Sequence, residues 1–280
     1  MILVTGATGT VGSEVVKQLL SKGLKVRAAV HSRPAPKGAE SVQLDLNSAE
    51  SVRAAMKGVE KLFLLTPMSD RATEQVRNAL KSAKDAGVTH VVRLSAAGAD
   101  EKSPNILLKW HGESEELVKK SGIAYTILRP GVFMQNFANF MGGTIKQGAI
   151  YAAAGEGRVA FIDARDIAAA AVSVLTGKGY EGKTYVLTGK EAISYGRAAE
   201  LLSKATGKTV SYVSILDEKA AEGMRASGMP EWAVQGMTGL NRSTRENKLA
   251  SVSTAVLDLT GKSPRTFEQF AKDYAGAFRA

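Results

Sequence analysis

Gly6-Ala-Thr-Gly9-Thr-Val-Gly12 stands directly after a short apolar run, Met1 to Thr5, and opens into apolar residues at helical spacing, Val11 to Leu20. A strand–turn–helix loop of this kind is suited to phosphate. Gly6 permits the tight turn, Gly9 lets the backbone approach a pyrophosphate, and Gly12 lets the helix pack close to the strand. Unpaired N–H groups at the helix start and the helix dipole then favour the anion. The spacing differs by one residue from G-x-G-x-x-G, but the strand and helix on either side supply the context that a bare glycine triplet lacks.

The end of the next strand selects between dinucleotides. An acid there would bond the ribose 2′-OH of NAD and repel a 2′-phosphate. This chain reads Val30-His31-Ser32-Arg33, with no acid until Glu40. Arg33 offers a planar fork suited to phosphate, Ser32 a hydroxyl and Lys37 a second cation, so the pattern favours NADPH. Asp45, after the third strand, either bonds the adenine amine or caps a turn.

The elements that must position these residues follow from the hydrophobic pattern. Strands are expected at Leu24 to Val30, Ser41 to Leu44, Lys61 to Leu65, Val91 to Leu94 and Ala124 to Leu128. Helices are expected at Ser48 to Met56, Arg71 to Ala86 and Lys109 to Lys120. This alternation implies βαβ units and a doubly wound parallel sheet of Rossmann type, order 3-2-1-4-5-6. Helix Asp163–Leu175 and strand Thr184–Leu187 are expected to return to it. From Ser194 onward the pattern turns helical, with helices at Tyr195–Thr206, Glu218–Ala226, Glu231–Leu240 and Phe267–Phe278 and one strand near Val210–Val213. The fold class is therefore α/β, with a smaller, mainly helical C-terminal lobe. Residues 1–130 and about 158–188 would form the dinucleotide-binding domain, and residues 131–157 and 189–280 the substrate lobe.

Composition narrows the function classes. The 280-residue chain has no cysteine, which excludes disulfides, thiolate metal sites and cysteine nucleophiles. Its three histidines, His31, His90 and His111, make no metal motif. The net charge is +10, but the basic residues, such as Lys17, Lys22, Lys81, Lys84, Lys119 and Lys120, are dispersed along helices. Dispersal without interleaved aromatics argues for solvated faces and against nucleic acid. No leader or run of membrane length is present, so a cytoplasmic location is expected, as monomer or homodimer.

Several segments taken in order resemble the NmrA-like group of atypical short-chain dehydrogenases/reductases. They are the glycine loop, Leu64-Leu-Thr-Pro67, Leu94-Ser-Ala-Ala-Gly98, Tyr125-Thr-Ile-Leu-Arg-Pro-Gly131 with Val132-Phe-Met-Gln-Asn136, and Phe161-Ile-Asp-Ala-Arg-Asp-Ile167. Within that group the likeness is to type-2 NAD(P)H:quinone oxidoreductases and triphenylmethane reductases. The resemblance implies that Gly6, Thr8, Gly9, Thr10, Val11 and Gly12 line the pyrophosphate and that Arg33 meets the 2′-phosphate. It puts Leu65, Thr66 and Pro67 beside the adenosine ribose, Ser95, Ala96 and Ala97 near the nicotinamide ribose, and Pro130 to Phe133 along the nicotinamide.

One departure is informative. The wider superfamily exchanges a proton through Tyr-x-x-x-Lys, yet none of the seven tyrosines here has lysine four residues on. The aligned segment is Leu107-Leu-Lys-Trp-His111, with leucine for the acid and histidine for the lysine. His111 either bonds the ribose and orients the cofactor or is an ordinary helix-surface histidine. Alcohol oxidation and sugar epimerisation are thereby disfavoured, and hydride transfer to an apolar electrophile such as a quinone or triphenylmethane dye is expected. The alternative is an NADP(H)-binding redox sensor acting through a protein partner.

Phe133, Met134, Phe137, Phe140 and Met141 fall on one face of a helix after the sixth strand, either packing the lobe or lining a pocket. Phe133, Met134, Asn136, Phe137, Tyr151 and Trp232 are the candidate substrate contacts, with His111 and Tyr151 the candidate catalytic side chains. Asp163 and Asp166 share a helix start, where capping explains both.

Overall fold

The computed structural model describes residues 1–279. The glycine loop joins β1 (Ile2–Val4) to α1 (Thr10–Ser21). There follow β2 (Val26–Val30), β3 (Glu40–Gln43), α2 (Ala49–Ala55), β4 (Lys61–Leu64), α3 (Ala72–Asp85), β5 (His90–Leu94), α4 (Ile106–Lys119) and β6 (Ala124–Pro130). Next come α5 (Gln135–Asn139), α6 (Gly142–Lys146), β7 (Ala149–Ala152) and β8 (Arg158–Val159). The chain returns through α7 (Ala164–Thr176) and β9 (Lys183–Leu187). It ends in β10 (Ile193–Ser194), α8 (Tyr195–Thr206), β11 (Ser211–Ser214), α9 (Asp217–Ala226), α10 (Glu231–Arg245), α11 (Ala255–Thr260), α12 (Phe267–Asp273) and α13 (Ala275–Phe278).

Seven strands pair in parallel in the order β3-β2-β1-β4-β5-β6-β9, a Rossmann-like α/β sheet extended by the returning β9. Both faces are apolar because both are covered, as parallel sheets require. Val11, Val15 and Leu19 of α1 and Ile167, Ala171 and Val174 of α7 pack one face. Val52, Val76, Leu80 and Val118 of α2, α3 and α4 pack the other. A third core gathers Phe137, Leu202, Phe267, Phe270 and Phe278 from α5, α8, α12 and α13, with Phe161 from the segment between β8 and α7.

Asp163 caps α7, accepting the Arg165 N–H at 2.8 Å, and it also pairs with the Arg165 guanidinium. The Gln135 side chain donates to Asp163 and accepts the Ala164 N–H, tying α5 to the start of α7. Asp166 is held by the backbone and guanidinium of Arg265, so neither acid is free for catalysis. Among the described residues no helix is long and apolar enough to cross a membrane.

Several expectations are corrected. The apolar stripe after β6 is not one helical face: α5 has only five residues, and Phe140, 81% exposed, points away from the core that takes Met134 and Phe137. Gly142 and Gly143 follow at once and start a separate short helix. The terminal helix breaks at Tyr274, whose ring packs on Phe270 while Asp273 pairs with Arg165. Helix α4 begins at Ile106 because Asn105 caps it by accepting the Leu107 N–H. The strand near residue 211 pairs with β7, which local pattern does not reveal.

Candidate dinucleotide and acceptor site

The carboxyl ends of the neighbouring parallel strands β1, β4, β5 and β6 lie side by side along one edge of the sheet, the edge at which a doubly wound fold opens its ligand crevice. At its floor the Thr5 hydroxyl accepts the Leu65 N–H at 2.8 Å and donates to the Leu65 carbonyl at 2.7 Å. Leu65 is thereby pressed against Gly6, which has φ +62°, and a β-carbon on Gly6 would lie 2.6 Å from the leucine. A β-carbon on Gly12 would lie 2.1 Å from the Gly6 carbonyl oxygen, so the helix can approach the turn only with glycine there.

Helix α1 starts at Gly9 with no side-chain cap and no acid in its first turn. Helices α2, α4, α7, α8 and α12 are capped by Ser48, Asn105, Asp163, Ser194 and Thr266, while α3, α9 and α10 share the absence of a side-chain cap. Leaving the N–H groups of α1 unpaired by side chains suits a pyrophosphate supplied from outside. Thr8 and Thr10 are half-buried beside it, Val11 is buried in the core below, and Asn139 of α5 donates to the Thr10 hydroxyl at 3.2 Å. Arg33 stands exposed beyond β2, with Ser32 and Lys37 also exposed. Asp45 accepts the Asn47 N–H at 2.9 Å, which makes it a turn former, though its side chain remains exposed.

At the other end, Leu65 and Thr66 are half-buried and Pro67 is exposed. Ala97 donates its N–H to the carbonyl of buried Pro130, while Ala96 and Phe133 are half-buried. Ser95 is buried and its hydroxyl donates to Glu115 of α4 at 2.5 Å. Glu115 also receives a two-pronged contact from Arg129 of β6, at 2.6 and 2.8 Å. That carboxylate raises the Arg129 guanidinium above its usual range through the hydrogen bond. His111 is half-buried on α4. Its Nδ1 is buried without a partner, and burial, reinforced by the charge of Arg93, pushes the imidazole down to about 3.

Arg93 is absent from the expectations above. It is 1% exposed and donates to the Leu64 carbonyl and the Thr66 hydroxyl, both at 3.2 Å, while its Nε has no partner. Burial pushes it down to about 10. The signal in the sequence was a single cation inside the otherwise apolar Val91-Val-Arg-Leu94.

The predicted acceptor contacts separate. Met134 and Phe137 belong to the third core, Phe137 packing edge-on against Phe161 and Phe267, so the buried reading replaces the pocket reading for both. Trp232 of α10 meets Trp110, the neighbour of His111, at a ring separation of 5.1 Å. Asn136 is half-buried, and Tyr151 is 50% exposed on β7. Leu107, in the place of the superfamily's tyrosine, is buried beneath α10, where a β-carbon on Gly236 would lie 2.5 Å from it.

The NmrA-like family model matches residues 1–271. The chain belongs to the NmrA-like family. Among its relatives is an NAD(P)H azoreductase of Xenophilus azovorans, 39% identical with all of both chains covered. Its fold matches an NADPH-dependent quinone oxidoreductase of Escherichia coli solved with NADPH, at TM-score 0.86 and 30% identity, covering 98% of this chain and 99% of that one. A Citrobacter triphenylmethane reductase solved with NADP(H) matches this NmrA-like chain at TM-score 0.83 and 29% identity, with the same coverage.

Proposed function

We propose that this NmrA-like protein is an NADPH-dependent oxidoreductase that delivers hydride to an apolar electrophilic acceptor of the quinone or triphenylmethane type. The oxidoreductase class rests on the reductase relatives together with the glycine loop and the uncapped start of α1. The acceptor class is our inference from the crevice. NADPH would supply the hydride. The turn Gly6–Gly12 and α1 would hold its pyrophosphate, Arg33 and Lys37 the 2′-phosphate, and Leu65 to Pro67 the adenosine ribose. Ser95 to Ala97 and His111 would face the nicotinamide ribose, and Pro130 and Phe133 the ring.

The observation that supports the acceptor class is that none of Leu107, His111 and Ser95, the residues proposed beside the nicotinamide, has a proton free to give. Leu107 has no acidic hydrogen and is sealed under α10. His111 is neutral at ordinary pH, and the Ser95 proton is committed to Glu115. An acceptor that needs protonation before hydride arrives gains nothing from such a site. A cationic dye takes hydride and needs nothing more, while a quinone takes hydride unaided and then a proton from water. The protein's own contribution would be orientation and exclusion of solvent, with Trp232, Trp110 and Phe133 as apolar walls and Tyr151 at the rim. The sensor reading is not favoured, given relatives that carry reductase names.

The test is NADPH oxidation with a panel of benzoquinones, naphthoquinones and triphenylmethane dyes, with NADH in parallel and cofactor binding measured separately. Turnover with preference for NADPH is the expected result. Tight NADPH binding with no turnover across the panel would overturn the reading.

A further inference from the structure

Arg93 is a cation without a counter-charge. Its register partners are Leu64 of β4 and Ile127 of β6, so it lies near the carboxyl end of β5, two residues before Ser95. Its two hydrogen bonds go to a neutral carbonyl and a neutral hydroxyl, and its Nε has no partner. The acid whose field reaches it, Glu115, is already occupied by Arg129 and Ser95. Leaving a buried guanidinium uncompensated costs several kcal/mol in general, and such groups are retained where a charge is of use. His111, one helical turn before Glu115 on α4, lies within reach of the Arg93 field. In the wider superfamily the residue aligned with His111 is a lysine. Here the helix position is neutral, and a positive charge stands instead in the strand beneath.

We propose that Arg93 is a specificity-determining residue that favours acceptors becoming anionic on reduction, neutral quinones above all, over acceptors that begin as cations. The inference rests on the reductase reading and on the crevice holding the nicotinamide near His111. In hydride transfer a C–H bond of the reduced nicotinamide breaks and its electron pair forms the new bond to the acceptor. A neutral quinone becomes a hydroquinone monoanion, the nicotinamide ring becomes a cation, and water supplies the proton that completes the hydroquinone. A fixed cation of low exposure stabilises the anion as it develops and repels a cationic dye as it arrives. It also repels the oxidised nicotinamide, which favours release of NADP⁺ over NADPH.

The experiment compares Arg93→Gln, which removes the charge but can still donate a hydrogen bond, with Arg93→Lys, which keeps the charge. Two readouts are taken on folded protein, checked by thermal unfolding. The first is kcat/KM for a neutral naphthoquinone and for a cationic triphenylmethane dye. The second is the ratio of Kd values for NADP⁺ and NADPH. Arg93→Gln is expected to lower the quinone value about tenfold, to hold or raise the dye value, and to tighten NADP⁺ several-fold relative to NADPH, with Arg93→Lys returning all three toward wild type. Equal losses with both acceptors and an unchanged Kd ratio would make Arg93 structural only and overturn the proposal. Should the wild type reduce neither acceptor, the reductase reading falls by itself. The Kd ratio still judges Arg93, because an unshifted ratio removes its influence on the nicotinamide. Should neither variant fold, the wild-type ratio decides: NADPH is expected to bind more tightly, and equal or tighter binding of NADP⁺ overturns the assignment.

Discussion

The Thr5 hydroxyl holds Leu65 from both sides of its peptide unit, accepting its N–H and donating to its carbonyl across 60 residues of sequence. This clasp joins the end of β1 to the segment after β4 and fixes the wall against which Gly6 turns. Thr5→Val, close in shape but without the hydroxyl, is expected to cost about 1–3 kcal/mol, because it leaves buried backbone groups unpaired. Denaturant unfolding would measure this, and a fluorescence titration should show weaker NADPH binding alongside it. Unchanged stability would mean that the clasp is incidental.

Arg33 is exposed beyond β2, and the proposed cofactor site sets it against the 2′-phosphate. Arg33→Ala is expected to weaken NADPH by roughly 10- to 100-fold, the range of a lost charge-assisted contact, and to leave NADH nearly unaffected. Parallel titrations of the two cofactors check this. Equal losses for both would remove Arg33 from the 2′-phosphate.

His111 makes stability depend on pH with a definite sign. Its pKa is depressed from 6.5 in the unfolded chain to about 3 in the folded one. The unfolded state therefore binds the proton first, and the contribution is fully present above pH 6.5 and lost as pH falls toward 3. His90, lowered by burial beside Thr126, acts in the same direction. His111→Leu should flatten the acid limb by up to about 1.4 kcal/mol per pH unit, the limit for one proton. Denaturant melts between pH 4 and 7 on both proteins would give the difference. An unaltered slope would show that His111 is not held neutral.

Tyr151 is half-exposed on β7, and its hydroxyl makes no hydrogen bond to the described residues. Tyr151→Phe should therefore leave stability and NADPH affinity alone while changing acceptor kcat/KM several-fold. Steady-state kinetics with a quinone series would decide, and identical kinetics would take Tyr151 out of the site.

The Rossmann sheet was legible because its signals are local: glycines at a strand end, short apolar runs, and helices of ten to fifteen residues between them. Asp163 as a cap was legible for the same reason. The lobe was less so. Strand β7 finds its partner, β11, some sixty residues later, and no window of sequence records that pairing. Helices α5 and α6 are too short for apolar periodicity to mark a face, which is why Phe140 was grouped with residues it does not accompany. In the site, the tight turn at Gly6 and the close helix approach at Gly12 could be read from spacing alone. The Ser95–Glu115–Arg129 cluster could not, since three elements contribute one side chain each. Arg93 could have been noticed as a charge within an apolar strand, but only the fold shows that nothing neutralises it.

The packing of Gly236 over Leu107 also bears on how this protein could change. Putting tyrosine at position 107 would not by itself recover alcohol chemistry, because the ring would have to enter space that α10 occupies. Helix α10 would have to retreat, drawing with it the Asn105 contact to the Gly236 carbonyl and the Trp110–Trp232 pair. The lysine position would have to change as well. Tyrosine-and-lysine chemistry at this place thus needs several coordinated substitutions, with the lobe repacked around them.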